Sequence, residues 1–170
     1  MAIELYFLRH APAVEYGSDG FSEEERPLTD EGREKMILAV RGMKKLDVAF
    51  DALLSSPLIR AKQTAELVKH YLPFKGSLEI EEELAPDGTL KALLKKLSER
   101  GEESFLLVGH EPNLSTWIQS LLGCGRSGAL QMKKGALCHL RLDRPEEKAD
   151  SELIALLQPK VLRQSGRKSG

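Results

Sequence analysis

Two arginines and two histidines follow three short apolar segments of this chain in a repeated pattern. The segments are residues 3–8, 52–54 and 105–108, and the side chains are those of Arg9, His10, Arg60 and His110. Short apolar runs that end in polar residues are typical of buried strands. The carboxyl ends of parallel strands share one edge of an open sheet, where ligands bind. We therefore expect the four side chains to converge on an anionic phosphoryl group.

Arg9-His10 has the chemistry for such a group. A guanidinium can engage two phosphoryl oxygens at once. A neutral imidazole presents a nitrogen lone pair that can attack phosphorus and carry the phosphoryl group covalently. The dipeptide alone is equally compatible with a surface arginine beside a structural histidine at a strand end.

Arg60 and His110 strengthen the chemical interpretation. Arg60 lies in the first turn of a predicted helix, where the macrodipole disfavours a cation unless an anion binds at the same helix N-terminus. Thr64, one turn later, lies on the same face and is expected to support the packing there. Gly109 allows close backbone approach, and His110 could donate a hydrogen bond to the phosphoryl oxygens. The alternatives are an arginine whose stem bends into water and a structural histidine.

Composition limits the classes of protein to consider. The chain has 170 residues, with 25 basic and 26 acidic side chains, so no global field favours nucleic acid or an anionic membrane. No apolar stretch approaches the roughly 20 residues that span a bilayer, and no secretory signal is recognisable. We expect a cytoplasmic protein with reduced cysteines, no nucleic-acid or membrane partner, and no cofactor. The four histidines lack metal-ligand spacing, so we expect no metal site.

Strands and helices alternate along the sequence. Thr29 is expected to cap a helix that runs to about Lys45, and Ser56-Pro57 to begin a second one. Thr89 and Pro112 mark the starts of two further helices. The predicted strands end at Arg9, Leu54, Ile80 and His110, followed by two final strands at residues 136–142 and 152–157.

This order predicts an α/β fold: a three-layer α/β/α sandwich whose central sheet is mostly parallel with an antiparallel edge. A single domain is expected over residues 1–162. Residues 163–170, which are small and basic, are expected to form a disordered tail.

Taken together, these motifs resemble the histidine phosphatase superfamily, also called phosphoglycerate mutase-like, over nearly the whole chain. The matching segments are LRH (8–10), RPLTDEG (26–32), SSPLIRAKQTA (55–65) and VGH (108–110). The resemblance implies that His10 is the nucleophile that becomes phosphohistidine. It also implies that Arg9, Arg60 and His110 form the phosphate pocket. Ala11 departs from the best-known signature, which has glycine at that position.

Within the superfamily the chain is most similar to the small phosphohistidine phosphatases of the SixA type. Its length leaves little room for lid insertions, which favours a pocket open to a protein side chain. The expected substrate is thus a phosphorylated histidine in a partner protein. Two alternatives stay open: a general small-molecule phosphomonoesterase with the same mechanism, and a non-catalytic phosphate-binding module.

The proton donor for the leaving group is the least defined part of the site. An alkoxide leaving group needs a positioned acid. Glu83 is the candidate, because it follows the third strand at the same sheet edge, but the run of residues 81–83 is also compatible with a solvated acidic loop. A phosphorylated imidazole leaves more readily and demands less acid catalysis.

Overall fold

One six-stranded sheet organises the chain. The computed structural model describes residues 1–18, 20–124 and 128–167. The strands are β1 (Ile3–Arg9), β2 (Ala52–Ser55), β3 (Leu78–Ile80), β4 (Ser104–Gly109), β5 (Leu137–Leu142) and β6 (Ser151–Leu157). Their order across the sheet is β3-β2-β4-β1-β5-β6. The first four in that order are mutually parallel, whereas β5 and β6 run antiparallel to their neighbours. The predicted mostly parallel sheet with an antiparallel edge is confirmed.

Helices cover both faces of the sheet. They are α1 (Asp30–Lys45), α2 (Ile59–Tyr71), α3 (Leu90–Ser98), α4 (Asn113–Leu121) and α5 (Pro159–Gly166), with a 3-10 turn at Glu82–Leu84. Successive residues of a strand point to opposite faces, so Leu5 and Phe7 pack with α3 and α4, while Tyr6 and Leu8 pack with α1, α2 and α5. This gives the expected three layers. None of the described helices is long and apolar enough to cross a membrane.

Local sequence accounts for most helix boundaries. The Thr29 hydroxyl accepts a hydrogen bond from the amide of Gly32, and the Thr89 hydroxyl accepts one from the amide of Ala92, so both predicted caps are confirmed. Pro112 directly precedes α4, as predicted. The predicted start of α2 at Ser56-Pro57 is wrong by two residues. Leu58 precedes the helix in an extended conformation, and its carbonyl oxygen is the one that accepts from the Ala61 and Lys62 amides, so the helical hydrogen bonds begin there. The Ser56 hydroxyl contacts the Leu58 amide and the histidine after β4.

The C-terminal residues correct a second expectation. Residues 163–166, predicted to be disordered, form the end of α5, and residues 168–170 lie outside the described part of the chain. The helix is held by close backbone packing on α1. A Cβ added at Gly42 would lie 2.0 Å from the carbonyl oxygen of Leu162, and one at Gly166 would lie 1.9 Å from that of Leu38. Such contact depends on two glycines distant in sequence, which hydrophobic periodicity does not detect.

This packing makes Gly42→Ala destabilising, against the helix preference of alanine. Alanine in a helix is favoured over glycine by about 1 kcal/mol, but overpacking costs about 1–3 kcal/mol. We expect a net loss in the free energy of unfolding, measured by urea denaturation. Gly101→Ala is the control, because a Cβ there meets no atom within 4 Å. A Gly42→Ala variant as stable as the parent would contradict the docked position of α5.

Candidate functional site

The strand order brings the predicted site residues together. β4 lies between β1 and β2, and Arg9 pairs with Gly109 across the β1–β4 ladder. A histidine directly follows each of these two strands, so His10 and His110 are neighbours, and the centroids of their rings lie 5.3 Å apart. α2 begins beyond the end of β2 and presents Arg60 from its first turn. A Cβ at Gly109 would lie 3.1 Å from Leu114 Cδ2, so this glycine permits close packing of β4 on α4.

Each of the two imidazoles is oriented by one hydrogen bond. His10 Nδ1 lies 2.7 Å from the Ala11 carbonyl oxygen, which can only accept, so Nδ1 carries the proton and Nε2 keeps its lone pair. His110 Nε2 lies 2.7 Å from the Ser56 hydroxyl. That hydroxyl also accepts a hydrogen bond from the Leu58 amide, and its own proton can be donated to His110 Nε2. In that tautomer, His110 Nδ1 carries the ring proton. The network thus leaves a free lone pair on His10 Nε2 and is compatible with a donor at His110 Nδ1.

The segment after His10 is attached to α2 through Thr64. The amide of buried Ala11 donates to Thr64 Oγ1 at 3.0 Å, and the Thr64 hydroxyl donates to the Arg60 carbonyl oxygen at 2.7 Å. The predicted support from Thr64 is confirmed. Ala11 is fully buried and its φ is not positive, so alanine occupies this position without backbone strain.

Three buried nitrogen atoms are left without a hydrogen-bond partner, and all three belong to the predicted phosphate pocket. They are Arg9 Nε, Arg60 Nε and His110 Nδ1, and no other buried side-chain nitrogen or oxygen in the described ranges is unpartnered. Leaving a buried donor unsatisfied costs about 1–3 kcal/mol. The charges of Arg9 and Arg60 act on His10, and the His110 ring lies 5.3 Å from the His10 ring, so these three nitrogens suit the three non-bridging oxygens of a phosphoryl group.

Burial determines the charge state of both histidines. Desolvation lowers the pKa of His10 well below 6.5, and the neighbouring His110, Arg60 and Arg9 lower it further. Desolvation, with the charge of Arg60, lowers the pKa of His110 to about 3. Only 5% of His10 and 3% of His110 are exposed, in agreement with these directions. Both rings are therefore neutral at neutral pH, which a nitrogen nucleophile requires.

The arginines are positioned by different parts of the chain. Arg9 Nη1 donates a hydrogen bond to the carbonyl oxygen of Met132, in the segment before β5, at 2.8 Å. Arg60 donates from Nη1 to the Glu23 carbonyl oxygen and from Nη2 to the Glu23 carboxylate. The Glu23 carboxylate also accepts two hydrogen bonds from Arg26. Sequence analysis missed the contributions of Glu23, Arg26 and Ser56.

Glu83, the predicted proton donor, contacts Thr89 and Lys96. It lies at the expected sheet edge, in the 3-10 turn after β3. One carboxylate oxygen accepts a hydrogen bond from the Thr89 amide at 3.4 Å, and the other lies 3.8 Å from Lys96 Nζ. Within the described chain it makes no hydrogen bond to Arg9, His10, Arg60 or His110. The hydrogen bonds and ion pairs of Glu83 are therefore separate from those of the other four residues.

Among the residues that the structure describes, no three His, Cys, Asp or Glu side chains are grouped so as to hold a metal ion. The groups that the structure brings together offer a nitrogen with a free lone pair on His10, two guanidinium groups and the neutral imidazole of His110.

The chain is similar to known proteins in sequence and in fold. The family model of the histidine phosphatase superfamily (branch 1) matches residues 5–85. An uncharacterised protein of Picosynechococcus is 36% identical over 94% of this chain and 99% of its own length. The phosphohistidine phosphatase SixA of Escherichia coli is 33% identical over 70% of this chain and 74% of its own length. A solved structure of the protein histidine phosphatase SixA complexed with tungstate superposes with a TM-score of 0.79 at 27% identity, covering 94% of this chain and 99% of the other.

The buried neutral histidines predict that stability falls in acid. The folded-state pKa of His110, about 3, lies below its ordinary value of 6.5. The unfolded chain therefore takes up this proton first as the pH falls. Stability is lost between about pH 6.5 and 3, at up to ~1.4 kcal/mol per pH unit for this group.

We expect His110→Gln to flatten the pH dependence of the free energy of unfolding over that range, measured by urea denaturation. His70→Gln removes an exposed histidine and should leave the slope unchanged. Equal slopes for the parent and His110→Gln would show that burial does not keep His110 neutral.

Proposed function

This chain is a phosphatase that belongs to the histidine phosphatase superfamily, and we propose that it removes the phosphoryl group from phosphohistidine in a partner protein, through a covalent intermediate on His10. The observation that carries the proposal is the set of three unpartnered buried nitrogens on residues that act electrostatically on His10. They belong to Arg9, Arg60 and His110. Three hydrogen bonds to the phosphoryl oxygens would hold that group beside the nucleophilic nitrogen and offset the negative charge of the transition state.

The first step of the proposed reaction forms the phosphoenzyme. The lone pair of His10 Nε2 attacks phosphorus while the N–P bond of the substrate breaks. The electron pair of that bond returns to the substrate imidazole, whose other nitrogen carries a proton, so the ring leaves as neutral imidazole. The proton on His10 Nδ1 stays on that nitrogen, and its hydrogen bond to the Ala11 carbonyl oxygen stabilises the cationic ring that forms. In the second step water attacks phosphorus, the Nε2–P bond breaks, and its electron pair restores neutral His10. Inorganic phosphate leaves, and the proton from water passes to solvent.

The carboxylates near the site favour a leaving group that needs no proton donor. Glu83 contacts Thr89 and Lys96 rather than the histidines. Glu23 does contact Arg60, but its hydrogen bond from Arg26 lowers its pKa, so it is ionised at neutral pH and cannot act as an acid. Within the described residues, neither carboxylate makes a hydrogen bond to His10 or His110. A phosphorylated imidazole is the better leaving group, and the similarity to SixA supports the same substrate class.

Trapping the intermediate tests the role of His10. The protein is incubated briefly with a labelled phosphohistidine-containing protein and quenched, and the labelled residue is located by mass spectrometry. We expect the label on His10, and turnover reduced about 1,000-fold or more in His10→Ala, because the variant lacks the nucleophile. His70→Ala, which changes an exposed histidine, should keep parental turnover. A label on another residue, or full turnover by His10→Ala, would refute the proposal.

Substrate preference tests whether phosphohistidine is the substrate. Turnover of a phosphohistidine protein is compared with that of sugar phosphates and an aryl phosphate under the same conditions. We expect the highest kcat/KM for phosphohistidine, because its leaving group requires little acid catalysis. Equal or higher kcat/KM for the sugar phosphates would favour a general phosphomonoesterase. Phosphate binding without turnover of any donor would favour a non-catalytic binding module.

A further inference from the structure

Glu23, in the segment between β1 and α1, holds one side of the Arg60 guanidinium. Arg60 Nη1 donates to the Glu23 carbonyl oxygen at 2.8 Å, and Arg60 Nη2 donates to the Glu23 carboxylate at 2.9 Å. Backbone and side chain of one residue thus engage both terminal nitrogens. Arg60 is only 3% exposed, so its orientation is determined almost entirely by such internal contacts.

These two bonds leave the Nε side of Arg60 for the substrate. Nε is buried and has no partner within the described residues. A guanidinium is planar with donors in fixed directions, so anchoring both Nη atoms determines where Nε–H points. A phosphoryl group bound by Arg60 Nε would meet a donor that is already aligned.

Glu23 is itself held in place by Arg26. Arg26 Nε donates to one carboxylate oxygen at 2.7 Å and Nη2 donates to the other at 2.5 Å. Arg26 Nη1 donates to the Val14 carbonyl oxygen at 2.8 Å. Bidentate pairs of this kind fix geometry as well as adding energy. The chain of contacts therefore runs from the backbone at Val14 through Arg26 and Glu23 to Arg60.

We propose that Glu23 is a positioning residue of the phosphatase site, which aligns Arg60 for the phosphoryl group without contacting the substrate. The inference rests on the proposed function, because it assigns Arg60 to phosphate binding. A different role for the same contact would be competition, in which the carboxylate occupies Arg60 until phosphate displaces it. The two roles predict opposite effects of removing Glu23 on phosphate binding. Loss of a positioning residue weakens phosphate binding, whereas loss of a competitor strengthens it.

Glu23→Ala separates these roles. We expect kcat/KM for a phosphohistidine protein to fall roughly 10- to 100-fold, since misplacing a catalytic contact by about 1 Å costs on the order of 100-fold. The dissociation constant for inorganic phosphate, measured by calorimetry, should rise. Glu24→Ala is the matched control, because it removes the same charge from the adjacent, exposed position. It should keep kcat/KM within about twofold of the parent. Tighter phosphate binding by Glu23→Ala would overturn the proposal.

Glu23→Gln provides a variant of nearly the same shape. Its amide oxygen can still accept from Arg60, although its NH₂ group cannot accept from Arg26. We expect kcat/KM between those of the parent and Glu23→Ala, with thermal unfolding of all variants confirming a folded chain. A Gln variant no better than the Ala variant would contradict a role for the hydrogen bond to Arg60.

A double-mutant cycle tests whether Glu23 acts through Arg60. In an Arg60→Ala background, Glu23→Ala should cause little further loss of kcat/KM, because there is no guanidinium to align. Independent, multiplicative losses would overturn the proposal. Phosphate binding is measured without turnover, so the two hypotheses can fail separately. A parent without phosphohistidine turnover refutes the proposed function, while unchanged phosphate affinity in Glu23→Ala refutes the positioning role.

Discussion

Burial of the Arg60 guanidinium, with the half-buried Arg9, beside two buried imidazoles is the constraint on which this site depends. Cations are rarely buried unless they are paired, and here the two imidazoles avoid the cost by remaining neutral. Arg60 has the carboxylate of Glu23, whereas Arg9 donates to the backbone at Met132. The nitrogens that stay unpartnered belong to Arg9, Arg60 and His110, the three residues whose charges lower the pKa of His10. An anion that accepted a hydrogen bond from all three would remove these costs together.

The scaffold supports this arrangement by placing β4 between β1 and β2. Three parallel strands then end side by side, and the polar residues that follow them meet without long loops. Hydrophobic cores on both faces of the sheet supply the stability that the site does not contribute. Thr64 connects α2 to the segment after His10, so His10 and Arg60 are linked through one set of hydrogen bonds. The reacting groups are therefore set on rigid elements.

The site residues that could be predicted lie at the ends of strands and helices, whereas two that were missed, Glu23 and Arg26, lie in a polar loop. Arg9, His10, Arg60 and His110 each follow a strand or begin a helix, and strand and helix ends can be located by apolar periodicity and capping residues. Glu23 lies in a polar segment between β1 and α1, where an acidic run is usually a solvated surface. Arg26 belongs to a motif that matched the superfamily but had no chemical role assigned from the residues alone. Glu83 lies at the predicted edge of the sheet, but its carboxylate contacts Thr89 and Lys96.

The sequence by itself determined the α/β class, the antiparallel edge and the four residues at the sheet edge, because these follow from local periodicity and from residue types at element ends. The tertiary structure alone decided which carboxylate meets Arg60, which nitrogen of His10 carries the proton, which hydroxyl contacts His110, and that α5 continues through residues 163–166. Each of these depends on a contact between distant segments: Glu23 with Arg60, Ser56 with His110, and Gly42 with Leu162. Local sequence sets the direction of the backbone, whereas hydrogen-bond partners and close packing are selected only when distant segments share one space.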